Sequence, residues 1–179
     1  MKVYHSSQQA IEIPHCVAVL GNFDGVHLAH QRMFAIACQV AKKLKTKSVA
    51  YTFDPHPVKV LSNRPFAYML NTLEQRIELI AEQNIQAMII EPFDAIFSQM
   101  SPIHWFEEII VKRLKVKALV AGYHFTFGKK KSGDIHLLKE LCDKHKIELH
   151  KLEPFLLKKS LVSSSQVREL VQHGEVKAA

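Results

Sequence analysis

The sequence predicts an α/β fold in which a parallel sheet carries helices on both faces. Short apolar runs alternate with longer stretches of helical periodicity along the chain, and no internal repeat or low-complexity linker interrupts them. The 179 residues, 47% hydrophobic and 23% charged, suffice for one sizeable core. Strands separated by a helix return to the same end of the sheet, so the alternation implies parallel pairing.

The elements follow in order. Cys16–Leu20 is a continuous apolar run closed by Gly21, the pattern of a buried strand. Met33, Ile36, Val40 and Leu44 then recur at helical spacing. Ser48–Phe53 is rich in β-favouring residues and is stopped by Asp54, Pro55, His56 and Pro57, a stiff loop. Thr72 with Gln75 forms a capping box before the stripe Leu73, Ile77 and Ile80. Met88–Ile90 is the third strand. Ser101 as N-cap and Pro102 at the first helical position open a helix carrying Ile103, Phe106, Ile110 and Leu114. Ala118–Ala121 is the fourth strand, ended by Gly122. Asp134 caps a helix with Ile135, Leu138 and Leu141, a fifth strand lies near Ile147–Leu152, and a last helix holds Val167, Leu170 and Val171 before Gly174. Ligands of such sheets bind beyond the carboxyl ends of the strands, which singles out loops 21–30, 53–65, 91–101, 122–133 and 153–165.

Composition narrows the classes. Cys16, Cys38 and Cys142 stand far apart with no C-x-x-C pair, so a disulfide framework and a cysteine zinc site are not expected and a reducing, cytoplasmic setting is. No apolar run approaches the roughly 18 residues of a spanning helix, so no membrane partner is expected. Twenty-four Lys and Arg against 17 Asp and Glu give a formal +7, which suits an anionic partner. Two basic clusters end helices and are explained by the macrodipole; Lys129, Lys130 and Lys131 lie in a loop and are not. A nucleic-acid partner rests on the net charge alone and is not expected.

Two loops carry chemistry. In the first, His27 and His30 lie three apart at a helix start, on one face, beside unpaired backbone N–H groups and the positive end of the dipole. Imidazole and backbone donors together suit a phosphate chain. Surface histidines or half of a zinc site would show the same spacing, although zinc needs three or four ligands and no further His or Cys is suitably spaced. The loop is neither G-x-G-x-x-G nor a Walker A sequence. In the second, Ser163, Ser164 and Ser165 precede Arg168, three residues past Ser165 on the same face. The serines can be simple caps, or hydroxyls, backbone donors and a guanidinium can converge as an anion clamp.

These residues carry a resemblance. His27-x-x-His30 after Gly21–Val26, together with Ser163–Arg168, resembles the H-x-G-H and S-S-x-x-x-R type motifs of nucleotidylyltransferases. Thr52–Pro57 with Val60 and Leu61, the run Phe97–Phe106, and Gly122–Gly133 are similar to one branch, the FMN adenylyltransferase module of bacterial riboflavin kinase/FMN adenylyltransferases. Two positions differ: Ala29 stands where the family usually has Gly, and His124 where it generally has Asp or Asn.

The resemblance implies a Rossmann-like nucleotidylyltransferase fold that transfers AMP from ATP to FMN, giving FAD and pyrophosphate, with Mg²⁺ bound through ATP rather than a protein metal site. It implies His27, His30 and Arg168 as catalytic groups; Gly21, Asn22, Phe23, Asp24, Ser164 and Ser165 as ATP contacts; and Asp54, Pro55, His56, Pro57, Tyr123, His124, Phe125 and Phe127 as FMN contacts. Phe23 fits equally well buried beneath its turn. Tyr123, Phe125 and Phe127 would present three rings to one side if their loop is extended, while Phe125 or Phe127 can instead plug the core. One adenylyltransferase domain is expected over residues 1–179, core about 15–176, without the C-terminal riboflavin kinase domain that the family joins to it. A related transferase with another phosphorylated acceptor, and a flavin- or nucleotide-binding module with weak catalysis, are the alternatives.

Overall fold

The computed structural model describes residues 1–5, 13–62, 68–157 and 160–179; residues 63–65 and 158–159 of the loops singled out above lie outside them. Six strands form one fully parallel sheet: β1 (Lys2–Tyr4), β2 (Val17–Leu20), β3 (Ser48–Asp54), β4 (Ala87–Pro92), β5 (Ala118–Gly122) and β6 (Glu148–Leu152). Their spatial order is β1-β4-β3-β2-β5-β6, with Val17 opposite both Ser48 and Ala118. The helices are α1 (Leu28–Lys43), α2 (Pro57–Leu61), α3 (Leu73–Glu82), α4 (Pro102–Trp105), α5 (Ile135–His145) and α6 (Ser164–Gln172), and an antiparallel hairpin joins β7 (Leu156–Leu157) to β8 (Ser160–Leu161).

Strand residues divide by alternation between two cores. Val17 and Val19 of β2, Ala50 of β3, Met88 and Ile90 of β4 and Val120 of β5 pack with Met33, Phe34 and Ala37 of α1 and Ile80 of α3. Ala18, Leu20, Tyr51, Ile89, Leu119 and Ala121 face Trp105, Phe106, Ile110, Leu138 and Leu141. The crossovers from β2 to β3 and from β3 to β4 run outward in one direction, and those from β4 to β5 and from β5 to β6 in the other. Crossovers of one hand must then lie on opposite faces. The chain leaves β2 and β5 towards opposite edges of the sheet, which places the switch in strand order between these two neighbours.

Two expectations change. The helix after Ser101 is α-helical only to Trp105; Phe106–Arg113 is π-helical, with Leu114 N–H donating to the Ile109 carbonyl. The buried positions are accordingly Trp105, Phe106, Ile109, Ile110 and Leu114, whereas Ile103, assigned to the apolar stripe, is 54% exposed. The three-residue β1 and the β7–β8 hairpin are additions: both are too short for an alternation pattern to register.

Candidate active site at the sheet's carboxyl edge

The loop between β2 and α1 is a turn under strain held from several sides. Phe23, Gly25 and Val26 all take positive φ, 54°, 85° and 41°; for β-branched Val26 this is an outlier that surrounding contacts must enforce. Phe23 is fully buried, its ring 4.8 Å from Phe34 and edge-on to His30 at 5.4 Å. The ring therefore lies beneath the turn and supports His30, so any nucleotide contact at this residue falls to its backbone. Gly21 sits over the same ring: an added Cβ would come within 2.7 Å of Phe23 Cε1. Asn71 Oδ1 accepts from the Gly25 N–H, and Gln31 Nε2 donates to the Val26 carbonyl at 3.0 Å.

The turn delivers His27 to the N-cap of α1 and His30 to its first turn. The two rings stack at 3.7 Å, 17° from parallel. His27 provides no side-chain cap and the first turn holds no acid, whereas the other five α-helices each have a side-chain cap, from His56, Thr72, Ser101, Asp134 and Ser163. The opening N–H groups of α1 thus have no side-chain cap at the positive end of a 16-residue helix. The Nδ1 atoms of both histidines are buried and make no hydrogen bond among the described residues. Burial above all, with a smaller push from His124, brings the His27 pKa down to about 4, against the opposing effects of its own backbone and Asp24. Burial, with His27 and His124 adding to it, brings His30 well below the ordinary histidine range. Both imidazoles are neutral at pH 7, and His124, exposed at the end of β5, is electrostatically coupled to each.

Asp24, 1% exposed, is the hub of the next layer. One carboxylate oxygen accepts from the Leu70 N–H at 2.9 Å; the other pairs with the Arg168 guanidinium. Ser164 donates its hydroxyl to the Asp24 carbonyl at 2.7 Å, and Arg168 Nε donates to the Tyr68 carbonyl at 3.0 Å. Ser164 and Arg168 therefore reach the turn as a group, but their polar atoms are turned onto Asp24 and Tyr68 rather than outward. Ser165 is exposed, and Ser163 caps α6 through the Gln166 N–H.

Asp54–Pro57 follows β3, beside this turn. The Asp54–Pro55 bond is cis, Pro57 opens α2, and His56 Nδ1 accepts from the Val58 N–H at 3.2 Å. His56 is 7% exposed, and burial lowers its pKa to about 4. A cleft of about 330 Å³ borders this loop, lined by Asp54, His56, Lys59, Asn71, Thr72 and Arg76 among others.

The loop after β5 departs from the extended form. The Phe125 N–H donates to the Gly122 carbonyl at 3.0 Å, so residues 122–125 form a turn and the three rings are not aligned on one side. Tyr123 meets His124 edge-on at 4.7 Å, whereas Phe125 and Phe127 stack at 5.7 Å, Phe127 being 7% exposed and 5.2 Å from Trp105. Phe127 is thus largely a core residue.

Other groups escaped the sequence reading. Arg76, 2% exposed, donates to the Asn22 and Phe53 carbonyls; from the segment before α3, Leu70 and Asn71 clasp the turn and Tyr68 bonds Arg168. Phe53, Phe93 and Phe97 form a three-ring cluster at the ends of β3 and β4 with centroids 5.5 to 5.8 Å apart. Arg76 lies four residues beyond the capping Thr72 and reads as surface in a one-dimensional pattern.

Similarity to known proteins agrees with this geometry. The chain is 34% identical over 164 residues to a bifunctional riboflavin kinase/FMN adenylyltransferase of Listeria monocytogenes, covering 91% of this chain and 52% of that one. The Bacillus subtilis protein of that name is 31% identical with coverage of 91% and 51%, and the Buchnera aphidicola (Acyrthosiphon pisum) protein 28% with 100% and 58%. The chain therefore spans about half the length of these relatives. A Streptococcus pneumoniae crystal structure described as a macrolide-efflux protein superposes with a TM-score of 0.86 at 25% identity, covering 99% of this chain and 59% of that one. No helix among the described residues here is long and apolar enough to cross a membrane. Residues 9–166 match the family model described as FAD synthetase. That match runs from before β2 into the first turn of α6 and takes in every loop that builds the corner: the chain belongs to the FAD synthetase family.

Proposed function

We propose that the chain transfers the AMP moiety of ATP to FMN, releasing pyrophosphate and forming FAD. The observation that carries this reading is the stacked, neutral His27–His30 pair at an uncapped helix start, set at the switch in strand order beside the Asp54–Pro57 loop. FMN's phosphate is already ionised at neutral pH, so the attacking oxygen needs no general base. Catalysis reduces to aligning that oxygen with the α-phosphorus and absorbing charge on the leaving pyrophosphate.

The imidazoles and the α1 N–H groups supply donors where that charge develops, at a site of low polarity where each donor is worth more than in water. Gly21, Asn22, Phe23 and Asp24 shape the turn against which ATP lies. Ser164, Ser165 and Arg168 hold the β and γ phosphates once Arg168 exchanges its bond to Asp24 for phosphate oxygens. Asp54, Pro55, His56 and Pro57, with Tyr123, His124 and Phe125, border the flavin, and Phe127 backs Phe125 from the core. Mg²⁺ prefers oxygen ligands. The ion would be carried by the triphosphate and would supply charge neutralisation there.

As read, the chain is one adenylyltransferase domain, cytoplasmic, with ATP and FMN as partners and a riboflavin kinase domain as its neighbour in a longer parent protein. The test is incubation with ATP, Mg²⁺ and FMN, with riboflavin, nicotinamide mononucleotide and phosphopantetheine in parallel, followed by chromatography. FAD from FMN and no FMN from riboflavin is the expected result. Adenylylation of another acceptor instead would point to a different transferase, and tight flavin binding without turnover to a binding module.

A further inference from the structure

Arg76 lies on α3, outside every loop assigned to the reaction, yet its guanidinium reaches the carboxyl ends of both β2 and β3. Nη1 donates to the Asn22 carbonyl at 3.0 Å, and Nη2 donates to the Phe53 carbonyl at 3.2 Å and stands 3.5 Å from Asp54 Oδ1. The ladder between these strands ends with the Gly21 N–H on the Tyr51 carbonyl, after which the two chains part into their loops. The gap is closed by Arg76 and by Thr52, whose hydroxyl donates to the same Asn22 carbonyl at 3.2 Å. A rigid, planar fork with both nitrogens committed to backbone carbonyls sets a distance, unlike a surface ion pair. Placing a guanidinium at 2% exposure is costly in itself: burial lowers its pKa, and only Asp54 and Asp24 act against that.

We infer that Arg76 is a positioning residue for adenylyl transfer, fixing the separation between the histidine turn after β2 and the Asp54–Pro57 loop after β3, and hence the alignment of the two substrates each loop borders. This rests on the proposed reaction only for the identity of the substrates. Arg76 touches backbone and Asp54, so it acts on alignment and not on either binding subsite alone.

The test uses the full chain with Arg76→Lys, which keeps the charge but reaches one carbonyl, and Arg76→Met, which keeps the volume. Expected for Arg76→Lys are binary affinities for ATP and for FMN within about threefold of wild type by calorimetry, while kcat falls on the order of tenfold to a hundredfold. Ethylguanidinium added to Arg76→Ala restores part of kcat. In parallel, amide hydrogen exchange in Arg76→Lys quickens together in residues 21–27 and 54–57 while Val17–Leu20 stays protected. Unchanged kcat in folded Arg76→Lys, or a loss of kcat matched by loss of ATP affinity alone, overturns the proposal. So does exchange that quickens in neither loop, or throughout the sheet. Should wild type form no FAD, the reaction assigned above falls, and the paired exchange of the two loops still decides whether Arg76 couples them. Should Arg76→Met fail to fold, Arg76→Lys and the guanidinium rescue carry the decision.

Discussion

His27 and His30 meet ring to ring in a buried corner, and burial is the main reason both are neutral. Two imidazolium rings 3.7 Å apart would repel, and burial already disfavours charge on either. Each neutral imidazole keeps one N–H that can donate to a phosphate oxygen. His30→Ala is expected to lower the rate of FAD formation about a hundredfold, the usual effect of removing one donor from a developing anion. An unchanged rate by chromatographic assay would remove His30 from the reaction. The same residues make stability depend on pH. An unfolded histidine takes up a proton near pH 6.5, whereas folded His27 does so only near 4 and His30 also well below 6.5. The unfolded state therefore binds more protons as pH falls, and the stability these groups contribute is whole above about 6.5 and is lost towards 4. The thermal midpoint of wild type should fall across that window more steeply than that of a His27→Asn, His30→Asn double variant. Parallel curves would mean the pair titrates normally.

At the scale of elements, helix starts were the most legible feature because capping is local chemistry. Thr72, Ser101 and Asp134 each accept the backbone N–H that their positions imply, and Gln75 completes the capping box. Asp134 accepts from two N–H groups, His136 at 3.0 Å and Leu137 at 2.9 Å. Asp134→Ala should cost about 1 kcal/mol in urea unfolding and leave KM for ATP and FMN alone, since α5 opens beyond the turn after β5. A change in KM with unaltered stability would mean that this cap serves the site. Less legible was the segment after Trp105. Phe106, Ile110 and Leu114 are buried as the stripe predicts, but the stripe does not reveal the π turn, and Ile103, in the α-helical turn before it, lies outside. The loop after β5 misled for another reason: its alternation of aromatics is genuine, but residues 122–125 form a turn and Phe127 lies in the core.

The whole molecule brings residues together that no local pattern links. The motifs after β2 and at α6 read as two separate anion sites, but Asp24 and Arg168, 144 residues apart, are ion-paired. Their side chains are 2% and 13% exposed, so the pair is largely shielded from solvent. No residue of α6 is fully buried, and its docking therefore depends heavily on Arg168, Ser164 and the bond from the Tyr68 hydroxyl to the Arg168 carbonyl at 3.1 Å. Asp24→Asn retains shape and acceptor oxygen but leaves the guanidinium without its counter-charge, and is expected to destabilise the chain by about 2–4 kcal/mol. Arg168→Met removes the other partner and leaves a carboxylate buried. The double variant should then be more stable than the sum of the two losses predicts, with a coupling energy above about 1 kcal/mol from urea unfolding of all four proteins. Additive losses would show that α6 is held by its packing and that Asp24 and Arg168 act on the fold independently.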